Sequence, residues 1–211
     1  MDAKATVKIG PFSRGGNNRV PTVACDHDFT PKATVTPYGL FLPAYDELFL
    51  DFTESKVTSD FIVDILEHWW ETVKERFAHI QTLLLNQDNG PENNSHRTQF
   101  IKRIVEFAHK HQLNVRLAYY PPDHSKYNPV ERTWAALEHH WNGSILDDVQ
   151  TALLFAKTMT WKGKHPVVKL VSKTYETGVK LTKAAMAELE RQIERLPNLG
   201  RWFVDISGCS T

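Results

Sequence analysis

Two polar segments hold the residues whose types and spacing are best suited to chemistry. Residues 86–92 (Asn-Gln-Asp-Asn-Gly-Pro-Glu) directly follow a short apolar run, and residues 124–132 lie between a predicted strand and a predicted helix. In open α/β sheets, ligands bind beyond the carboxyl ends of the strands. Asp88 at such a strand end and Glu131 in a helix's first turn could share a divalent cation, because hard ions such as Mg²⁺ take oxygen ligands. A pair of such ions supports phosphoryl transfer.

Both segments also have purely structural interpretations. Residues 88–91 (Asp-Asn-Gly-Pro) are typical of a turn in which the aspartate binds its own backbone. Residues 128–131 (Asn-Pro-Val-Glu) fit the N-cap to N3 positions of a helix, which would make Glu131 a capping glutamate. Neither segment has the glycine pattern and Lys-Ser/Thr ending of a phosphate loop. The spacing alone therefore leaves the cation site and the structural roles open.

Other polar and aromatic groups are weaker candidates for chemistry. Asp26, His27 and Asp28 suit a metal or acid–base cluster, but neighbouring residues of a strand point to opposite faces. His139 and His140 fall on the solvent side of a predicted helix. Several aromatic side chains could stack on bases: Tyr119, Tyr120, Tyr127, Trp134 and Trp141. The tryptophans are more typical of a core.

The elements that must position these residues are strands at first, and helices then alternate with strands. In the first part, 5–9 and 19–24 are predicted as one strand pair, and 39–42 and 48–52 as another. The elements that follow are a helix capped at Thr58 or Ser59, a strand over 80–85, a helix over 96–110, a strand over 113–120, a helix over 130–141, helices around 149–159 and 182–196, and a short strand over 202–206. This order predicts an α/β fold with a mixed sheet flanked by helices. Residues 1–145 would form the core and 146–211 a helical C-terminal extension.

Composition excludes few classes of function. The chain has 211 residues, of which 41% are hydrophobic, and 25 basic residues balance 25 acidic ones. The neutral charge gives no argument for a polyanionic partner, since nucleic-acid-binding domains are usually basic. Cys25 and Cys209 lie far apart, which favours a reducing compartment. No apolar segment of signal or membrane-span length is present, so a cytoplasmic protein is predicted.

Six segments together resemble a known family. They are residues 2–16, 53–60, 88–93, 119–132, 159–163 and 174–178. Over nearly its whole length the chain resembles bacterial insertion-sequence transposases of the Rhodopirellula-type DDE group. The resemblance implies a ribonuclease H-like fold and an enzyme that cleaves and transfers DNA strands.

The resemblance also implies site residues. The three catalytic, metal-binding carboxylates would be Asp2, Asp88 and Glu131, holding two Mg²⁺ or Mn²⁺ ions. The residues expected to contact DNA phosphates are Lys126, Arg132 and Arg14. The expected partners are transposon ends and target DNA, and a homo-oligomer is compatible with the family.

The departure from the family pattern lies before Asp2. Family members carry a helical DNA-recognition region there, and this sequence begins one residue before the aspartate. Chain ends are commonly frayed, so Asp2 is expected to be poorly held. The alternatives to an active catalytic domain are an inactive remnant that only binds DNA or a partner, and a stand-alone nuclease of the same fold.

Overall fold

The computed structural model describes residues 1–25, 29–120 and 128–209. In chain order the elements are β1 (Asp2–Ala3), β2 (Val7–Ile9), β3 (Ala33–Leu42), β4 (Glu47–Thr53), α1 (Ser59–Val73), β5 (Thr82–Gln87), α2 (Thr98–His111), β6 (Asn114–Tyr119), α3 (Pro129–Trp141), α4 (Val149–Thr158), β7 (Val167–Val171), α5 (Lys183–Glu190), β8 (Ile193–Arg195) and β9 (Phe203–Ile206). The predicted α/β class with mixed sheets is confirmed. No helix among the described residues is both long and apolar enough to cross a membrane.

The chain forms two compact units, and each is built from two stretches of sequence. The first unit comprises Met1–Lys56 and Pro129–Thr174, and the second comprises Val57–Asn128 and Tyr175–Thr211. The boundary after residue 145 stays a prediction.

The sheet of the first unit has the strand order β1-β3-β4-β7, with β2 also paired to β3. β3 and β4 form the predicted antiparallel hairpin, in which Asp46 of the connecting turn has a φ of 52°. β4 and β7 run parallel. Successive side chains of a strand point to opposite faces of the sheet. The apolar side chains that point to one face pack against α3 and α4 and form the core of the unit.

Helix α3 covers that face through the stripe that its periodicity predicts. Val130, Trp134, Leu137 and Trp141 are all buried. The helix lies directly over Gly39 of β3: a Cβ on this glycine would stand 2.7 Å from Trp134 Cη2 and 2.8 Å from Val130 Cγ2. Glycine is therefore what allows the helix to approach the strand this closely.

The second unit contains a sheet of strand order β5-β6-β9-β8, in which β5 and β6 are parallel. Helix α1 begins where the capping pattern predicts, since the Thr58 side chain accepts a hydrogen bond from the Phe61 N–H. Helix α2 ends at His111, and its C-cap Gln112 adopts the left-handed conformation with φ 50°. Both helices bury one apolar face, as their 3.6-residue periodicity requires.

One sequence prediction differs from the structure, and another is not confirmed. The partner of β2 is β3, with Val7 opposite Val35, and not residues 19–24. The pairing with β3 buries the alternating Val7 and Ile9, whereas Val23 is 92% exposed. The helical C-terminal extension is not confirmed, because this region contains three strands besides its two helices. β7 belongs to the sheet of the first unit, and β8 and β9 belong to the sheet of the second.

Candidate active site

Asp88 stands directly after β5 and occupies a tight turn. One carboxylate oxygen, Oδ1, accepts hydrogen bonds from the Gly90 N–H at 3.2 Å and from Asn93 Nδ2 at 3.1 Å. Asn89 between them is left-handed, with φ 62°. The turn chemistry of this segment is thus confirmed, and it fixes the orientation of an exposed carboxylate at a strand's carboxyl end.

Three oxygen atoms converge beside Gly90. The point where a Cβ of this glycine would lie is 3.1 Å from Asn93 Oδ1, 3.2 Å from Asp88 Oδ2 and 3.3 Å from Asp88 Oδ1. We call the space bounded by Asp88, Gly90 and Asn93 the oxygen recess. All three atoms are hydrogen-bond acceptors, so the recess suits a cation or the hydrogens of a water molecule.

Two residues close to Asp88 in sequence, Gln87 and Asn93, are buried polar residues. Asn93 is 5% exposed and Gln87 is fully buried. Within the described part of the chain, no hydrogen bond reaches Asn93 Oδ1 or either polar atom of the Gln87 side chain. Unpaired buried polar groups cost stability and are uncommon, so each of these atoms calls for a partner such as a water molecule or an ion.

Tyr119 supports the same loop from β6. It is opposite Gln87 in the parallel pairing, and its hydroxyl donates to the backbone oxygen of Asn93 at 2.9 Å. Burial raises the pKa of Tyr119 well above its usual range, so the hydroxyl stays a donor. Because its ring is 5% exposed, it is not the base-stacking platform that the sequence suggested.

In the first unit, Asp2 lies beside the helix that carries Glu131. Asp2 pairs with Gly39 in β1, so it is held in the sheet where fraying was expected. The indole Nε1 of Trp134 donates to Asp2 Oδ2 at 3.4 Å. Glu131 stands in the same helix three residues before Trp134, in its first turn as predicted. Residues three apart are neighbours on a helix surface, so Glu131 and Trp134 lie on the same side of α3.

A second contact to α3 is made by the residue that follows β1. Lys4 binds Glu138 at 2.5 Å, one turn beyond Trp134. Arg14 binds both carboxylate oxygens of Glu138, at 2.6 and 2.7 Å, and stacks on Trp141 at 5.3 Å from the ring centroid. Burial favours a raised pKa for Glu138, but the bonds and charges of Lys4 and Arg14 outweigh it and lower the pKa below its usual range.

The predicted DNA contacts have different positions. Arg132 is exposed in the first turn of α3. Arg14 is 14% exposed and is engaged by Glu138, so any phosphate contact would compete with that ion pair. Lys126 lies outside the described residues, as do Tyr127 and the cluster at 26–28. His139 is exposed as predicted, whereas His140 is half-buried and its Nε2 lies 2.9 Å from Thr158 Oγ1. The DNA contacts stay predictions.

One buried carboxylate was missed by the sequence analysis. Asp51 of β4 is 6% exposed, and it faces Lys169 of β7 in the parallel pairing. Burial raises its pKa to about 6, although the charge of Lys169 opposes the rise. The signal was present: Asp51 is a single acidic residue inside the apolar run 48–52.

The comparison with protein families decides the classification. A family model described as the Rhodopirellula transposase DDE domain matches residues 1–208. The chain belongs to this family. Comparisons with curated proteins and with solved structures found no match for this DDE domain.

A divalent cation is expected in a DDE domain, and its donor chemistry can be tested here. In residues 1–25, 29–120 and 128–209, no group of three or more His, Cys, Asp or Glu side chains gathers closely enough to hold a metal ion. The oxygen recess nevertheless has the ligand type that Mg²⁺ prefers, with two carboxylate oxygens and an amide oxygen around one point. The residues around Asp88 therefore fit the chemistry of the ion.

Proposed function

We propose that this transposase DDE domain catalyses divalent-metal-dependent cleavage of DNA strands and their transfer to target DNA. The family match over residues 1–208 carries the proposal. The exposed carboxylate of Asp88, oriented at the carboxyl end of β5, supports it, because that is where open α/β sheets bind ligands. Such an enzyme would act on DNA in the cytoplasm.

Three carboxylates are assigned to the metal ions in this proposal: Asp2, Asp88 and Glu131. Bound Mg²⁺ or Mn²⁺ would supply Lewis acidity for an in-line displacement at a phosphate. Asp88 contributes negative charge from a side chain whose orientation two hydrogen bonds already fix. Asp2 contributes a second carboxylate, which the Trp134 indole orients.

The protein's cationic side chains would position the DNA backbone. Arg132 is exposed beside Glu131 on the first turn of α3, where it can reach a phosphate. Lys126 and Arg14 are proposed for further phosphate contacts. For Arg14 the contact requires release from Glu138.

Cleavage and joining assays with the 211-residue chain test the proposal. Wild type should nick supercoiled plasmid only when Mg²⁺ or Mn²⁺ is added, and should join a 3′-hydroxyl oligonucleotide to the plasmid. Asp88→Asn and Glu131→Gln should abolish both reactions while the circular dichroism spectrum stays unchanged, since each keeps the size and turn or capping capacity of the original residue. Asp147→Asn, which removes an exposed carboxylate elsewhere, is the matched control.

The outcomes separate the alternatives. Nicking without joining would indicate a stand-alone nuclease. Absence of both reactions in wild type, with DNA binding retained, would indicate an inactive remnant. Wild-type rates in Asp88→Asn and Glu131→Gln would refute the assignment of these carboxylates.

A further inference from the structure

The side chain of Asn93 touches the Asp88 carboxylate with one end and faces the oxygen recess with the other. Its Nδ2 donates to Asp88 Oδ1 at 3.1 Å. Only the nitrogen of the amide can donate to a carboxylate, so this contact also fixes the direction of the amide oxygen. That oxygen lies 3.1 Å from the point where a Gly90 Cβ would stand, next to both oxygens of Asp88.

The amide oxygen of Asn93 accepts no hydrogen bond from the residues that the structure describes. Asn93 is 5% exposed, and its Oδ1 has no hydrogen-bond donor within the part of the chain that is described. Burying such an acceptor without a partner is unfavourable. An asparagine that served only to close the turn would gain no stability by placing its oxygen there. An oxygen that binds a cation or a water on that cation would regain the lost hydrogen bond.

The backbone of Asn93 is held from three directions. The Tyr119 hydroxyl donates to its carbonyl oxygen at 2.9 Å, and its own N–H donates to the Gly90 oxygen at 3.3 Å. The neighbouring Glu92 carbonyl oxygen accepts from Ser59 Oγ at 2.7 Å at the start of α1. These bonds attach the loop to β6 and α1, so the amide is presented from a rigid support.

We propose that Asn93 is a positioning residue of the Asp88 site. It orients the Asp88 carboxylate through Nδ2 and directs Oδ1, a third oxygen, toward the divalent cation or a water bound to it. Gly90 is required to keep the recess open. This inference rests on the proposed function, because it presumes that Asp88 binds the cation.

Metal affinity distinguishes positioning from a structural role in the turn. The assay measures Mn²⁺ binding to the full chain through the electron paramagnetic resonance signal of free Mn²⁺. Asn93→Ala should weaken binding about 10–100-fold, which is the usual effect of removing a group that orients a metal ligand. Asn94→Ala is the matched control. Asn94 donates to the Gly90 and Pro91 oxygens and accepts from the His96 N–H, and none of these hydrogen bonds involves Asp88. Its Mn²⁺ affinity should stay within about threefold of wild type, since it lies outside the chain of groups that orients Asp88.

A second variant tests the recess by filling it. Gly90 does not have a positive φ, so Gly90→Ala introduces no backbone strain and places a methyl group 3.1–3.3 Å from the three oxygens. It should weaken Mn²⁺ binding while the thermal midpoint changes little. Even if Asn93→Ala does not fold, normal Mn²⁺ binding by Gly90→Ala would overturn the role of the recess.

The controls separate failure of this inference from failure of the proposed function. If Asp88→Asn loses Mn²⁺ binding while Asn93→Ala and Gly90→Ala bind normally, the positioning role is overturned and the proposed function stands. If Asn94→Ala loses as much affinity as Asn93→Ala, the role of the asparagines is structural and the inference is overturned. If wild type binds no Mn²⁺, or Asp88→Asn binds it unchanged, both are overturned.

Discussion

Asp51→Asn tests the energetic cost of the buried carboxylate in β4. The pKa of Asp51 is about 6 in the folded protein, against an ordinary value of 3.8. The folded state therefore holds the proton more tightly than the unfolded state, and stability falls as pH rises through the window between these two values. Below about pH 4 both states are protonated and no cost is present. Above about pH 6 the cost is complete.

The size of the cost follows from the two pKa values. Each tenfold difference in proton affinity corresponds to about 1.4 kcal/mol, so the gap amounts to about 3 kcal/mol. Asparagine has the same shape and never ionises. We expect Asp51→Asn to be more stable than wild type by up to about 3 kcal/mol at pH 8. Near pH 4 the difference in the free energy of unfolding should shrink to the value it has when Asp51 is protonated.

Urea unfolding followed by tryptophan fluorescence at pH 4, 6 and 8 measures this difference. Asp147→Asn, which removes an exposed carboxylate of the same unit, is the matched control. A constant difference between Asp51→Asn and wild type from pH 4 to 8 would refute the reasoning. So would a loss of stability that is largest at pH 8, because it would mean that the attraction to Lys169 exceeds the cost of burial.

Two further predictions concern the placement of α3. Gly39→Ala should destabilise the protein by about 1–3 kcal/mol in urea unfolding, the usual effect of overpacking, because its Cβ would fall within 2.8 Å of Trp134 and Val130; an unchanged midpoint would contradict the close packing. Glu138→Gln should cost about 1 kcal/mol or less at pH 7, since the glutamate is 36% exposed and solvent screens its ion pairs. The lowered pKa of Glu138 means that this contribution is present above the ordinary 4.5 and is lost as pH falls through the lower folded value. Unfolding at pH 7 and pH 3 checks this, and a gap that persists at pH 3 would count against it.

Local patterns in the sequence predicted the elements and part of the site. The buried stripe of α3, the Thr58 cap and the turn after β5 were all predictable, because each depends on residues a few positions apart. The same locality explains why Asp88 and Glu131 could be placed at a strand end and in a helix's first turn.

Pairings between distant segments were not predictable in the same way. The sequence offered residues 19–24 as a partner for β2, and nothing local indicated that β3 buries Val7 and Ile9 better. The role of Asn93 was also hidden, because its importance arises from a side chain that folds back onto Asp88 within an irregular loop. Asp51 had a visible signal, but only the structure shows that its strand lies between β3 and β7.

The discontinuity of the two units has a consequence for how the nascent chain emerges from the ribosome. β4 acquires its parallel neighbour β7 only after the whole of Val57–Asn128 has been made, and the second unit obtains β9 later still. During synthesis, strand edges that are paired in the finished protein stay open, and such edges are templates for association with other chains. Each unit is built from two segments that are distant in sequence, so neither unit can complete its sheet until its second segment has been made.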